Sequence, residues 1–151
     1  MAQKRSTYIP EGSDPTQEKF VNYIMKGGKK STARNIYKET LAYISEKTKI
    51  DPVKVFEKAV ETVKPALEVR PKRIGGAVYQ IPIEVKPGRQ MMLTFRWILD
   101  AARSKKGASM YKKLADELIQ ASNGEGAAIK KRDDMQKMAM ANKAFAHYAK
   151  Y

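Results

Sequence analysis

The chain has no cysteine, one histidine and one tryptophan among its 151 residues. The missing cysteine excludes disulfides, thiolate catalysis and zinc sites built on sulfur. No apolar run approaches the ~20 residues that a membrane-spanning helix needs. The opening stretch, MAQKRSTYIPEGSDP, lacks the apolar centre of a secretory leader. Acidic charge is scarce: 16 Asp and Glu stand against 30 Lys and Arg, a formal net charge of +14. Such an excess opposes compaction and attracts polyanions. Nucleic acid is the first class of partner this implies, and an anionic membrane surface the second. The expected location is a cytosol or an organelle interior.

Catalytic constellations are equally scarce. Gly28-Lys29-Lys30 begins like a phosphate loop, but Tyr23 stands where the leading glycine belongs and Lys30 where Ser or Thr must hold magnesium. Gly124-Glu125-Gly126 begins like a dinucleotide fingerprint, but Ile129 takes the third glycine's place and no strand precedes it. His147 has no cysteine neighbour and no obvious acid partner. It reads either as a surface or packing residue or as an RNA contact. Asp116-Glu117 and Asp133-Asp134 are adjacent in sequence, and adjacent helical side chains diverge by about 100°. Neither pair can hold a metal unaided. The expectation is no enzyme, no cofactor, no metal and no small-molecule substrate.

What the chain does contain is a set of helical stripes around one strand-like stretch. Residues 1–13 are polar and carry Lys4 and Arg5. They read as a basic extension, either disordered or ordering on RNA. Asp14-Pro15 and Asp51-Pro52 pair an N-cap acceptor with proline at the first helical position. They open a first helix, with Phe20, Val21, Ile24 and Met25 on one face, and a third, with Val55, Phe56, Ala59, Val60 and Val63. Gly27-Gly28 stops the first helix. Ser31 is a candidate cap for the second, striped by Ala33, Ile36, Tyr37, Leu41 and Ile44. A fourth helix carries Met91, Phe95, Ile98, Leu99 and Ala102, and a fifth runs from about Ser109 to Ser122. A sixth begins near Lys130 and ends near Tyr148.

Between the third and fourth helices, Glu68 to Gln90 reads EVRPKRIGGAVYQIPIEVKPGRQ. Val, Ile and Tyr favour strand, and Gly75-Gly76 supplies the positive φ of a two-residue hairpin turn. Pro71, Pro82 and Pro87 argue against a central strand. The expected fold is therefore mainly α: about six helices in a single domain over 14–151, with a protruding two-stranded β-ribbon at about 68–86. Such a ribbon is marginal alone, and its strand edges are expected to be exposed.

The basic residues gather at seams: Lys4-Arg5, Lys29-Lys30, Arg70/Lys72/Arg73, Lys105-Lys106 and Lys130-Lys131-Arg132. Loops and helix ends let side chains and backbone N–H groups reach phosphate together. Arg89, Arg96 and Arg103 recur every seven residues, so one side of the fourth helix carries all three. Tyr79 offers either packing on the ribbon's own face or a surface for base stacking and cation–π contact. Charge spread over loops and a ribbon suits a folded RNA. A membrane-surface helix or a DNA-reading helix would concentrate it on one segment.

Several stretches then resemble one family. They are GKKSTA (Gly28–Ala33), FEKAVETVKP (Phe56–Pro65), EVRPKRIGGAVYQIPIEV (Glu68–Val85), RWILDAAR (Arg96–Arg103) and KKRDDMQKMAMANKAFAHY (Lys130–Tyr148). Together they resemble the bacterial-type family of the seventh small-subunit ribosomal protein, over about residues 14–148. The resemblance implies a six-helix bundle with a β-ribbon. It implies a primary binder of the 3′ major domain of 16S-type ribosomal RNA, one that nucleates assembly of the subunit head and lies at the subunit interface near the exit-site transfer RNA. The ninth and eleventh small-subunit proteins are the implied neighbours. By position, Lys4, Arg5, Lys29, Lys30, Arg34, Arg70, Lys72, Arg73, Arg89, Arg96, Arg103, Lys105 and Lys106 would face ribosomal RNA. Gly75, Gly76, Tyr79, His147 and Tyr148 would face transfer RNA. The alternative is a translational repressor that binds its own messenger through the same surface. The resemblance implies a cytoplasmic small ribosomal subunit, with an organellar ribosome also compatible.

Overall fold

The computed structural model describes residues 14–150. The expected basic extension over 1–13, with Lys4 and Arg5, lies outside the described residues. Among the described residues there are six α-helices, one 3₁₀ segment and one antiparallel two-stranded sheet. Helices α1 (Pro15–Ile24), α2 (Lys30–Thr48) and α3 (Pro52–Val63) come first. Strands β1 (Leu67–Ile74) and β2 (Ala77–Glu84) follow, then α4 (Pro87–Ser104), α5 (Met110–Ser122) and α6 (Ala127–Ala141), with the 3₁₀ segment over Lys143–Lys150.

The two aspartate caps form as their sequence dictates. Asp14 Oδ1 accepts from the Thr16 N–H at 2.9 Å and Asp51 Oδ1 from the Val53 N–H at 3.0 Å. Ser31 does not cap α2, which begins one residue earlier; Lys29 occupies the N-cap without a side-chain hydrogen bond. One cluster of buried residues draws on all six helices. At its centre Phe20 lies 5.0 Å from both Phe56 and Phe95, ring centre to ring centre, and 5.9 Å from Tyr37. Tilted and edge-on rings at these distances add to what burial alone contributes.

The sixth helix begins earlier than its sequence suggests. Gly126 takes φ +97°, and the Ala128 N–H is capped across space by the fully buried Glu117, whose Oε1 accepts it at 3.0 Å. The helix also ends earlier. The Asn142 side-chain amide donates to the Met138 carbonyl at 2.8 Å, and the chain tightens into the 3₁₀ segment.

The ribbon is a regular hairpin, paired from Leu67↔Glu84 to Ile74↔Ala77. Gly75 and Gly76 both have positive φ, +57° and +85°, as the tight turn requires. It is not isolated, in contrast to the expectation of exposed edges. Helix α6 packs against β1 and the 3₁₀ segment against β2. Glu68, Ile81 and Pro82 are buried at the base, while Gly75 to Val78 at the tip are exposed. A two-stranded ribbon needs such support to hold its shape in water.

Two outcomes test this packing. A Cβ on Gly126 would lie 3.0 Å from both Glu117 Oε1 and Gln120 Oε1, on a backbone that L-residues avoid. Gly126→Ala should cost about 1–3 kcal/mol, seen as a lower urea midpoint at unchanged slope. Tyr37 donates its hydroxyl to Gln17 Oε1 at 2.6 Å. Burial, aided by the Asp14, Glu57 and Glu18 carboxylates, holds that hydroxyl well above its ordinary value near 10. Its native pKa being the higher one, its contribution is intact below about pH 10 and declines as pH rises beyond. Tyr37→Phe should therefore flatten the alkaline loss of stability by up to about 1.4 kcal/mol per pH unit, measured by denaturant titration between pH 9 and 11.

Candidate nucleic-acid interface

Strand alternation sets the first part of the site. Glu68, Arg70 and Lys72 share one face of β1, because residues two apart along a strand point the same way. Glu68 is 4% exposed. Its carboxylate accepts the Arg70 Nε–H at 2.9 Å and the Arg89 Nε–H at 2.8 and 3.0 Å. Lys72 Nζ donates to the Tyr148 carbonyl at 3.1 Å. Arg73 lies beyond, near the tip, with no side-chain hydrogen bond or ion pair among the described residues.

Helix α4 carries the site onward. Arg89 and Arg103 are fourteen residues apart, so about 21 Å along the axis, with Arg96 midway. Arg96 is exposed and makes no side-chain hydrogen bond or ion pair among the described residues. Arg103 is half-buried and reaches back to the carbonyls of Tyr23 and Ile24 at 3.5 and 3.4 Å. Those carbonyls close α1, where cations suit the helix dipole.

At that end of the bundle α1, α2, α4 and α5 meet around a cleft of about 310 Å³, with Lys26, Lys29 and Arg103 beside Ile24, Met25, Ala33 and Met110. Lys30 and Arg34, on the first turns of α2, reach Glu18 at 3.9 and 2.9 Å. Lys105 Nζ lies 3.1 Å from Glu117 Oε2, an ion pair without hydrogen-bond alignment. Lys106 is exposed. The structure thus gathers Lys29, Lys30, Arg34, Arg103, Lys105 and Lys106 at the bundle end and Arg70, Lys72, Arg73 and Arg89 along the ribbon. Arg96 stands between.

A pattern runs through these contacts that the sequence reading missed. Three carboxylates are buried among the described residues: Glu18, Glu68 and Glu117. Each pairs with cations already singled out: Lys30 and Arg34, Arg70 and Arg89, and Lys105. Only Glu68 left a local trace, two residues from Arg70 in a strand; the other pairs join residues far apart in sequence. Arg132, from the basic run at 130–132, faces inward to the Thr62 carbonyl and Asp133.

The five residues expected to face transfer RNA also lie along one arm. Gly75 and Gly76 form its exposed tip. Tyr79 packs on Phe145 and Tyr148 of the 3₁₀ segment, centroids 5.0 and 5.7 Å away, and His147 lies 4.0 Å from Tyr148. Tyr79 therefore packs against the C-terminal aromatics rather than on the ribbon's own face. Phe145, which is not among those five, is the ring that joins them. Among the described residues no group of three His, Cys, Asp or Glu could hold a metal ion, and no helix is long and apolar enough to cross a membrane.

The fold and this cationic track define a basic helical scaffold with one buttressed ribbon arm. Residues 2–143 match the family described as "Ribosomal protein S7p/S5e", and the chain belongs to that family. The "Small ribosomal subunit protein uS7" of Thermotoga petrophila is 53% identical over 139 residues, 92% of this chain and 90% of that protein. The protein of the same description from Thermotoga maritima matches to the same extent. That of Acinetobacter baumannii is 49% identical over 139 residues, 92% of this chain and 89% of its own length. The resemblance read from the motifs is borne out. The family is structural rather than enzymatic.

The burial contrast yields a test. Arg34→Ala would leave the buried Glu18 with Lys30 alone, 3.9 Å away, and should cost about 1–3 kcal/mol. Arg96→Ala should stay within about 0.5 kcal/mol. Equilibrium unfolding of the two variants side by side measures the difference.

Proposed function

We propose that this chain is a structural constituent of the small ribosomal subunit that binds the 3′ major domain of 16S-type RNA. In this reading it binds early, fixes one geometry of a multi-helix junction and nucleates assembly of the subunit head. The supporting observation is the arginine row of α4, which links the ribbon cations to the bundle-end cations about 21 Å away. Cations spread over that length on rigid elements match phosphates of a folded RNA and release its counterions on binding. The aromatic arm formed by Tyr79, Phe145, His147 and Tyr148 is assigned to exit-site transfer RNA, since rings and nearby cations suit stacked bases. The ninth and eleventh small-subunit proteins are the proposed neighbours, and the location is the small subunit in the cytoplasm. The messenger-binding repressor draws no separate support from the geometry.

Affinity for a fragment of the 3′ domain should fall steeply with added salt. Changing Arg70, Lys72 and Arg73 together to Ala should reduce the slope of log K against log salt by up to about 2–3. A filter-binding titration that gave both proteins the same slope would remove the ribbon from the phosphate-binding surface.

A further inference from the structure

We infer that Arg70 and Arg89 form a preassembled clamp for one phosphodiester group and that Glu68 is the residue that positions it. This inference rests on the RNA-binding reading above and deepens it. Glu68 sits sealed at the ribbon base, and its carboxylate grips both arginines through Nε alone. The two terminal nitrogens of each guanidinium make no hydrogen bond among the described residues. The arginine side chains are 59% and 41% exposed, against 5% for that of Glu68. One buried anion therefore holds two long side chains by their inner nitrogens and leaves their outer edges to solvent.

The chemistry of such a unit is specific. Guanidinium groups bind phosphate oxygens through paired N–H bonds, which a lysine cannot reproduce. Two arginines and one carboxylate carry a net charge of +1, which one phosphodiester neutralises. Long side chains normally lose rotamer freedom when they bind; here the carboxylate has already restricted them. The other buried carboxylates lack this arrangement. Glu18 holds one guanidinium and a lysine, and Glu117 one lysine. A carboxylate in an RNA-binding surface ought to repel the ligand. Placed beneath the arginines, it acts on their geometry instead.

The two views predict opposite signs. Glu68→Gln removes a negative charge, so a bulk-charge account expects tighter binding of the 3′-domain RNA fragment. The clamp expects about three- to tenfold weaker binding, because an uncharged amide holds guanidinium groups less tightly and sets an NH2 donor where Oε2 now accepts from Arg89. Glu46→Gln, at an exposed carboxylate with no ion pair among the described residues, should bind as well as or better than the parent. In an Arg70→Ala/Arg89→Ala background, Glu68→Gln should no longer weaken binding. Arg70→Lys/Arg89→Lys, which keeps the net charge, should weaken it by a similar factor and decides the matter if Glu68→Gln fails to fold. The clamp is overturned if Glu68→Gln binds as tightly as the parent, if its loss is the same in both backgrounds, or if the double lysine variant binds normally. A parent protein that shows no salt-sensitive RNA binding would overturn both this inference and the reading beneath it.

Discussion

The pairing of buried carboxylate with half-exposed cation is what the arrangement of the surface depends on. A chain of net charge +14 must hold its cations apart without losing control of where they point. Spacing answers the first need. Successive α4 arginines are about 10.5 Å apart along the axis, so their mutual repulsion in water is about 0.4 kcal/mol before screening. Salt reduces that further, since the screening length is about 8–10 Å at physiological strength. The second need is met from beneath. Glu18, Glu68 and Glu117 are sealed below the surface and held in turn by the cations above them. Burying a charge is costly unless it is paired, so each contact constrains both partners.

Much of the frame was legible in the sequence because local rules govern it. The Asp-Pro starts, the Gly75-Gly76 turn and the apolar stripes each involve residues within a turn or two of one another. The limits of the sixth helix were not legible. They depend on Glu117 reaching the Ala128 N–H from another helix, and on Asn142 folding its side chain back. The second helix shows the opposite case, in which a serine well placed to cap was passed over and the helix began at Lys30.

For the site, the sequence identified the cations and missed the anions. Runs of Lys and Arg stand out in a basic chain, whereas a lone glutamate looks like any solvated side chain. The partnership of Glu18 with Arg34 crosses sixteen residues and that of Glu68 with Arg89 twenty-one. No periodicity within one element reports such pairs. The aromatic arm was missed in part for the same reason: Phe145 meets Tyr79 only after the C-terminal segment has turned back onto β2.

That return of the chain has a consequence for synthesis on the ribosome. Lys72 and the carbonyl it holds, that of Tyr148, are separated by 76 positions. At about 5–20 residues per second, roughly 4–15 s pass between translation of one and of the other. During that interval the nascent hairpin has its turn and its ladder but not its outer brace. An arm encoded mid-chain thus matures after helices encoded downstream of it, and its final rigidity waits on translation of the far segment.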